Sequence, residues 1–194
     1  METKHEIETK PEAGKAPLLR VATVWFGGCS GCHMSFLDLD EFLIELAGKA
    51  EIVFSPVMDV KEFPEDVDAT LVEGAVANQD NLEMIHKVRA RSRVVVALGD
   101  CAVNGNVTAM RNTLRKVEPV IARAYLENVD IHPRRPSEPG IVPALITTVL
   151  PIHHVVDVDA FLPGCPPSAD LIHFVITELL EGRKPDLSKK LKFG

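Results

Sequence analysis

Four cysteines carry the chemistry open to this chain: Cys29 and Cys32 as a close pair, then Cys101 and Cys165 as distant singles. Thiolates are soft ligands, and a set of four can hold a zinc ion or one cubane iron–sulfur cluster. The pair, Cys29-Ser30-Gly31-Cys32, also has the spacing of a redox dithiol. A buried cysteine can equally serve as a small hydrophobe. The dithiol reading leaves Cys101 and Cys165 unused, and burial accounts for one cysteine more readily than for all of them. Structural zinc sites usually take two close pairs, and here only one pair is close.

The neighbours of the cysteines suit a cluster. Gly27, Gly28, Gly31, Gly99 and Gly164 leave room for inorganic sulfide and present backbone N–H groups, the donors that tune a cluster's potential. Pro163, Pro166 and Pro167 restrict the backbone around Cys165. Glu73 and Gly74 end a candidate strand, where a carboxylate can line the same site, face a subunit interface or stand in solvent. His33 can bond a cluster sulfur or a partner, or lie exposed in a first helical turn.

Three strands must bring these sulfurs together. Leu18 to Phe26 is an apolar, β-branched run ending at Gly27-Gly28, Val94 to Leu98 is continuously apolar, and Val155 to Leu162 contains the last strand. A cysteine follows each. Shorter strands are predicted at Glu51 to Ser55 and Ala69 to Val72. Helical spacing predicts one helix over Met34 to Ala47, stopped by Gly48. A capping box at Asp80 to Glu83 precedes a helix with Leu82, Ile85 and Val88 on its apolar face. Pro119 to Leu126 can form another. Ser168 can cap a final helix whose core face is Ile172, Val175, Ile176 and Leu179, ending at Gly182. Residues 1–17 read as a flexible arm and 18–194 as one domain, with an irregular, proline-rich loop at about 127–143 that either contacts a partner or is a plain surface insertion.

Strands alternating with helices predict an α/β fold: a flavodoxin-like, doubly wound parallel sheet with helices on both faces. Right-handed crossovers put all strand carboxyl ends on one edge, where such sheets bind ligands. The scattered cysteines then meet at one place.

Composition narrows the function. With 21 basic and 28 acidic residues the net charge is −7, which disfavours nucleic acid. Arg89, Arg91, Arg93, Arg111 and Arg115 are a local basic group, read as a solvated helix face. No apolar stretch has transmembrane length, and no apolar signal core or twin-arginine signal is evident. A cytoplasmic location is expected, where cysteines serve metals or redox chemistry before disulfides. The histidines, His153, His154 and His173 among them, make no metal spacing and read as structural or exposed. No Ser–His–Asp arrangement or phosphate-binding loop is evident.

Taken in order, Trp25-Phe26-Gly27-Gly28-Cys29-Ser30-Gly31-Cys32, Val72-Glu73-Gly74-Ala75-Val76, Ala97-Leu98-Gly99-Asp100-Cys101 with Asn104-Gly105, and Pro163-Gly164-Cys165-Pro166-Pro167 resemble the small subunit of [NiFe] hydrogenases and the related cluster-bearing subunit of respiratory complex I. The complex I subunit has adjacent cysteines in the first motif, so Cys29-x-x-Cys32 sides with hydrogenases. Standard small subunits carry further C-terminal ligands for two more clusters, and nothing after Cys165 matches them. The likeness is therefore to the short small subunit of soluble, NAD-reducing (bidirectional) hydrogenases. His33-Met34-Ser35 departs from the acidic residue and serine that many hydrogenases place there.

The resemblance implies one [4Fe–4S] cluster on Cys29, Cys32, Cys101 and Cys165. It implies a Ni–Fe centre in a large partner subunit, and flavin with further Fe–S clusters in diaphorase subunits. Gly28, Gly31, His33, Glu73, Gly74 and Gly164 are candidates to surround the cluster. Whether FMN binds this chain stays undecided from its residues. A subunit of another hydrogenase, membrane-bound or F420-linked, or of a complex-I-like quinone reductase is the nearest alternative, and a zinc-stabilised interaction scaffold is one of a different class.

Overall fold

The computed structural model describes residues 17–188 and Lys190. The arm at 1–17 therefore lies outside the described residues except for Pro17. Five parallel strands form the main sheet: β1 (Leu19–Trp25), β2 (Ala50–Phe54), β3 (Val67–Glu73), β5 (Ser92–Leu98) and β7 (Ala160–Leu162), in spatial order β2-β1-β3-β5-β7. Counting those strands alone, this is the flavodoxin-like order with its reversal between β1 and β3. The expected fold class is borne out.

Both faces of the sheet are covered, which explains why its strands read as continuous apolar runs. On one face Ala22, Val24, Val72, Val95 and Ala97 pack against Ile85 and Val88 of α3 (Gln79–Arg91). On the other, Leu71, Val96, Leu98 and Leu162 meet α1 (Gly31–Leu37), α2 (Phe42–Ala47) and α7 (Ala169–Leu180) through Phe36, Leu46, Ile172, Val175 and Ile176. Ile85 and Ile172 are at most 1% exposed. Burying such a side chain contributes about 1.5–3 kcal/mol.

Local signals placed several ends well. Ser168 Oγ accepts the Leu171 N–H and starts α7, and Gly182, at φ 69°, follows its end. Other expectations are corrected. The single helix over Met34 to Ala47 is two helices. Asp40 takes φ 48° between them, and aspartates compete with the helix for backbone hydrogen bonds. The first helix also begins earlier, at Gly31, so Cys32 and His33 lie on it. The cap of α3 is Asn78, whose side chain accepts the Asn81 N–H at 2.8 Å, and the box at Asp80 to Glu83 lies inside the helix.

A two-stranded antiparallel sheet, β4 (Val76–Asn78) with β6 (Leu145–Leu150), was not foreseen. Asn112 braces it, with Nδ2 donating to Val149 O at 2.9 Å and Oδ1 accepting Val149 N–H at 2.8 Å. The last strand of the main sheet is shorter than the run that contains it. The helix foreseen at Pro119 to Leu126 is α6 (Glu118–Ala122), continued by one π turn to Glu127. Between Asn128 and Ala144 no helix or strand forms, as the prolines there predicted.

The arginines are not simply a solvated face. Arg89 reaches Asp159 at 2.6 Å, Arg93 reaches Asp68 at 3.1 Å, and Arg111 donates to Ala77 O at 2.8 Å. Among the described residues no helix is long and apolar enough to cross a membrane.

Candidate metal centre at the carboxyl edge

The carboxyl ends of β1, β3, β5 and β7 converge on one edge. Cys29 lies just past β1, Cys32 in the first turn of α1, Cys101 in the first turn of α4 (Gly99–Asn104), and Cys165 in the turn after β7. A further short helix on this edge, α5 (Asn106–Ala109), follows α4 directly. Cys32 and Cys101 are buried, Cys29 and Cys165 exposed.

Tethers join the three cysteine-bearing segments. The Asp100 N–H donates to Gly164 O at 2.9 Å, and Asp100 Oδ1 accepts the Gly164 N–H at 2.8 Å. Cys101 and Cys165, each one residue further on, are thereby held in register. The buried Ser35 Oγ donates to Pro167 O at 2.6 Å, tying α1 to the Cys165 turn. Gly99 sits at φ 82°, and a Cβ there would run into the Cys32 sulfur, so the start of α4 must be glycine for the segments to close.

The sulfurs lie near enough to act on one another's charge. Burial pushes the Cys32 thiol up to about 12, reinforced in turn by Glu73, Cys101, Cys29 and Cys165. Burial also raises Cys101, against a lowering contact from the Thr108 hydroxyl, with Cys165, Cys29 and Glu73 adding to the rise. Among the described residues, no three His, Cys, Asp or Glu side chains close on a point that would suit one metal ion.

The structure decides two residues left open by sequence. Glu73 is no solvated carboxylate: it is 2% exposed at the end of β3. Its Oε2 accepts the His33 backbone N–H at 2.9 Å and pairs with His33 Nδ1. His33 is therefore not a free first-turn side chain, and its Nε2 is buried without a hydrogen-bond partner among the described residues. Of the glycines, Gly31 borders Cys29 Sγ, Gly28 packs against Gly74 and Glu73, and Gly164 supplies both ends of the Asp100 tie.

Sequence reasoning missed Ser35, Asp100, Asn106 and Thr108. Asn106 Nδ2 donates to Cys165 Sγ at 3.3 Å, and Thr108 Oγ1 donates to Gly27 O at 2.9 Å. The only available signal was proximity to a cysteine motif. A cleft of about 450 Å³, lined by Leu71, Ile176 and Leu179 among others, lies toward the amino ends of the strands, away from the thiols.

The fold and its thiol-bearing edge define a flavodoxin-like α/β protein with four cysteines on three neighbouring strand ends. Residues 29–179 match the NADH ubiquinone oxidoreductase 20 kDa subunit family, and the chain belongs to it. It is 36% identical to the NAD-reducing hydrogenase HoxS subunit delta of Cupriavidus necator, over 96% of this chain and 93% of that protein. It is 40% identical to a subunit of the vhu F420-non-reducing hydrogenase of Methanococcus voltae, over 91% of this chain and 61% of that one. The chain thus spans about three fifths of that longer relative. A solved NAD⁺-reducing [NiFe]-hydrogenase in its H2-reduced state contains a chain matching with a TM-score of 0.85 and 39% identity, covering 92% of this chain and 100% of that one. The resemblance read from the cysteine motifs is borne out.

Proposed function

We propose that this chain is the small, electron-transfer subunit of a cytoplasmic [NiFe] hydrogenase catalysing H2 + NAD⁺ ⇌ NADH + H⁺, and that Cys29, Cys32, Cys101 and Cys165 hold one [4Fe–4S] cluster. The carrying observation is the set of four thiols on three tethered strand ends, sharing one electrostatic neighbourhood. Structural zinc usually takes two close cysteine pairs, whereas only Cys29 and Cys32 form a close pair here. A polynuclear cluster suits this donor set better, and the glycine forced at position 99 keeps side-chain bulk out of it.

Such a cluster, when bound, accepts and releases single electrons. The residues of this chain supply the ligands and their order. Asp100 and Ser35 hold the three segments together, and Glu73 anchors the first turn of α1 through His33. Met34, Leu37, Val107 and Met110 are exposed apolar side chains on α1, on α5 and just beyond it, on the segments that follow the Cys29–Cys32 and Cys101 motifs. An apolar border of this kind suits a partner surface, here a large subunit carrying the Ni–Fe centre. Diaphorase subunits bearing flavin and further Fe–S clusters would take the electrons onward to NAD⁺.

The 40% identity to a component of an F420-non-reducing hydrogenase favours one second reading, an acceptor other than NAD⁺. Anaerobic purification of the native complex separates the two. The proposal expects a large subunit and flavin-containing diaphorase subunits to co-purify, a cubane signal on reduction, and hydrogen-dependent NAD⁺ reduction. Cys165→Ser should lose iron, sulfide and coupled activity together. A complex that reduces artificial dyes with hydrogen but never NAD⁺ would favour the second reading. An intact cluster with near-normal activity in Cys165→Ser would remove Cys165 from the ligand set.

A further inference from the structure

Where α4 passes into α5 the chain turns on two successive left-handed residues, Gly105 at φ 86° and Asn106, the first residue of α5, at φ 36°. Asparagine is one of the few residues besides glycine that accepts this region, because its short amide bonds locally. A Cβ on Gly105 would meet the Ala109 methyl at 2.7 Å, so close approach demands glycine there as well. Asn104 secures the corner, its Oδ1 accepting the Asn106 backbone N–H at 2.8 Å.

The corner aims the Asn106 side chain across the site, where Nδ2 donates to Cys165 Sγ at 3.3 Å. Among the described residues this is the one hydrogen bond from a side-chain N–H to a cysteine sulfur. Thr108 also lies beside a sulfur, that of Cys101, but its single hydroxyl proton goes to the Gly27 carbonyl. Asn106 thus gives a neutral, permanently available donor to the sulfur of an exposed cysteine.

We infer that Asn106 sets the reduction potential of the centre held by the four thiolates, raising it through this N–H bond to Cys165. The inference rests on the cluster reading given above. When one electron is added, negative charge on the ligand sulfurs increases and the donor bond strengthens. The reduced form gains more from Asn106 than the oxidised form does, so the potential rises. The amide gains and loses no proton in this range, so its effect is independent of pH.

Two substitutions test it in the purified complex. Asn106→Asp keeps the shape and the tolerance of positive φ while replacing the donor with a negatively charged acceptor. Asn106→Gly removes the side chain without straining the backbone. Anaerobic redox titration followed by EPR should give a more negative midpoint in both variants, further displaced in Asp than in Gly, with iron and sulfide content unchanged. Wild-type midpoints in both variants would overturn the inference. Loss of the centre from both would do so as well, making Asn106 a structural residue. Absence of any cubane signal in the wild-type complex would instead overturn the cluster reading, and the inference with it.

Discussion

Glu73 holds His33 at two points, accepting its backbone N–H at 2.9 Å and pairing with its imidazole Nδ1. The two residues are 40 positions apart in sequence, yet the contact joins the end of β3 to the first turn of α1, next to Cys32. Removing the carboxylate leaves a backbone donor and an imidazole without their partner. Glu73→Ala should therefore lower stability by about 3 kcal/mol, the lower end for breaking a buried pair. The lower end applies because His33 keeps 20% of its side chain exposed. Glu73→Gln retains an acceptor and should lose roughly half as much. Denaturant midpoints of the anaerobic protein read both. A Glu73→Ala midpoint equal to wild type would sink this account of the pair.

Asp100 ties the Cys101 segment to the Cys165 turn through two reciprocal hydrogen bonds with Gly164. Asp100→Ala leaves the Gly164 N–H unpaired and should cost about 1–3 kcal/mol. Asp100→Asn retains the accepting oxygen and should cost less than about 1 kcal/mol. The tie also keeps two proposed ligands in register, so the alanine variant should release iron to a chelator faster than either the wild type or the asparagine variant. Equal release rates for all three would argue that the tie stabilises the fold without organising the ligands.

The thiols should differ in reactivity once the protein is free of metal. Cys29 and Cys165 are exposed, whereas Cys32 and Cys101 are buried. With its thiol pushed up to about 12, Cys32 is ionised at pH 8 in only ~10⁻⁴ of molecules, and thiolate is the form that alkylates. Iodoacetamide followed by peptide mass mapping should label Cys29 and Cys165 first and Cys32 last. Early labelling of Cys32 would contradict the packing described for the start of α1.

Asp159 predicts an acid-sensitive contribution to stability. Burial raises its pKa, but bonds from Arg89 and the Val95 N–H, with the Arg89 charge, outweigh it and hold the carboxyl below its ordinary value. Because the folded value is depressed, its stabilisation is complete above the unfolded value, about 3.9. It is lost as pH falls through the folded value. Asp159→Asn should cost about 1 kcal/mol at neutral pH, kept small by solvent, since 45% of the Asp159 side chain is exposed. The gap between wild type and variant should close below pH ~4. Urea midpoints at pH 3 and pH 7 would show it, and a constant gap would exclude a titrating contribution from Asp159.

The legible parts of the fold were those written in short-range pattern. The apolar runs before Cys29, Cys101 and Cys165 announced buried parallel strands, and Ser168 and Gly182 announced the ends of α7. The illegible parts depended on residues far apart. The strand β6 carries the β-branched residues of a strand, Ile146, Thr147, Thr148 and Val149, but its pairing is not written locally, because its partner β4 and its brace Asn112 come from other segments. The break at Asp40 hid inside an otherwise regular helical spacing.

The same division holds for the site. By itself the sequence determined the four candidate thiols and the rule that brings them to one edge, since parallel strands joined by right-handed crossovers must end together. Only the tertiary structure decided which sulfurs are buried, that Glu73 grips His33, that Asp100 joins two cysteine segments, and that Asn106 reaches Cys165. Helix and strand periodicity acts over a few residues. A hydrogen bond needs its donor and acceptor within about 3 Å, and between distant segments that distance is settled by how the whole chain packs.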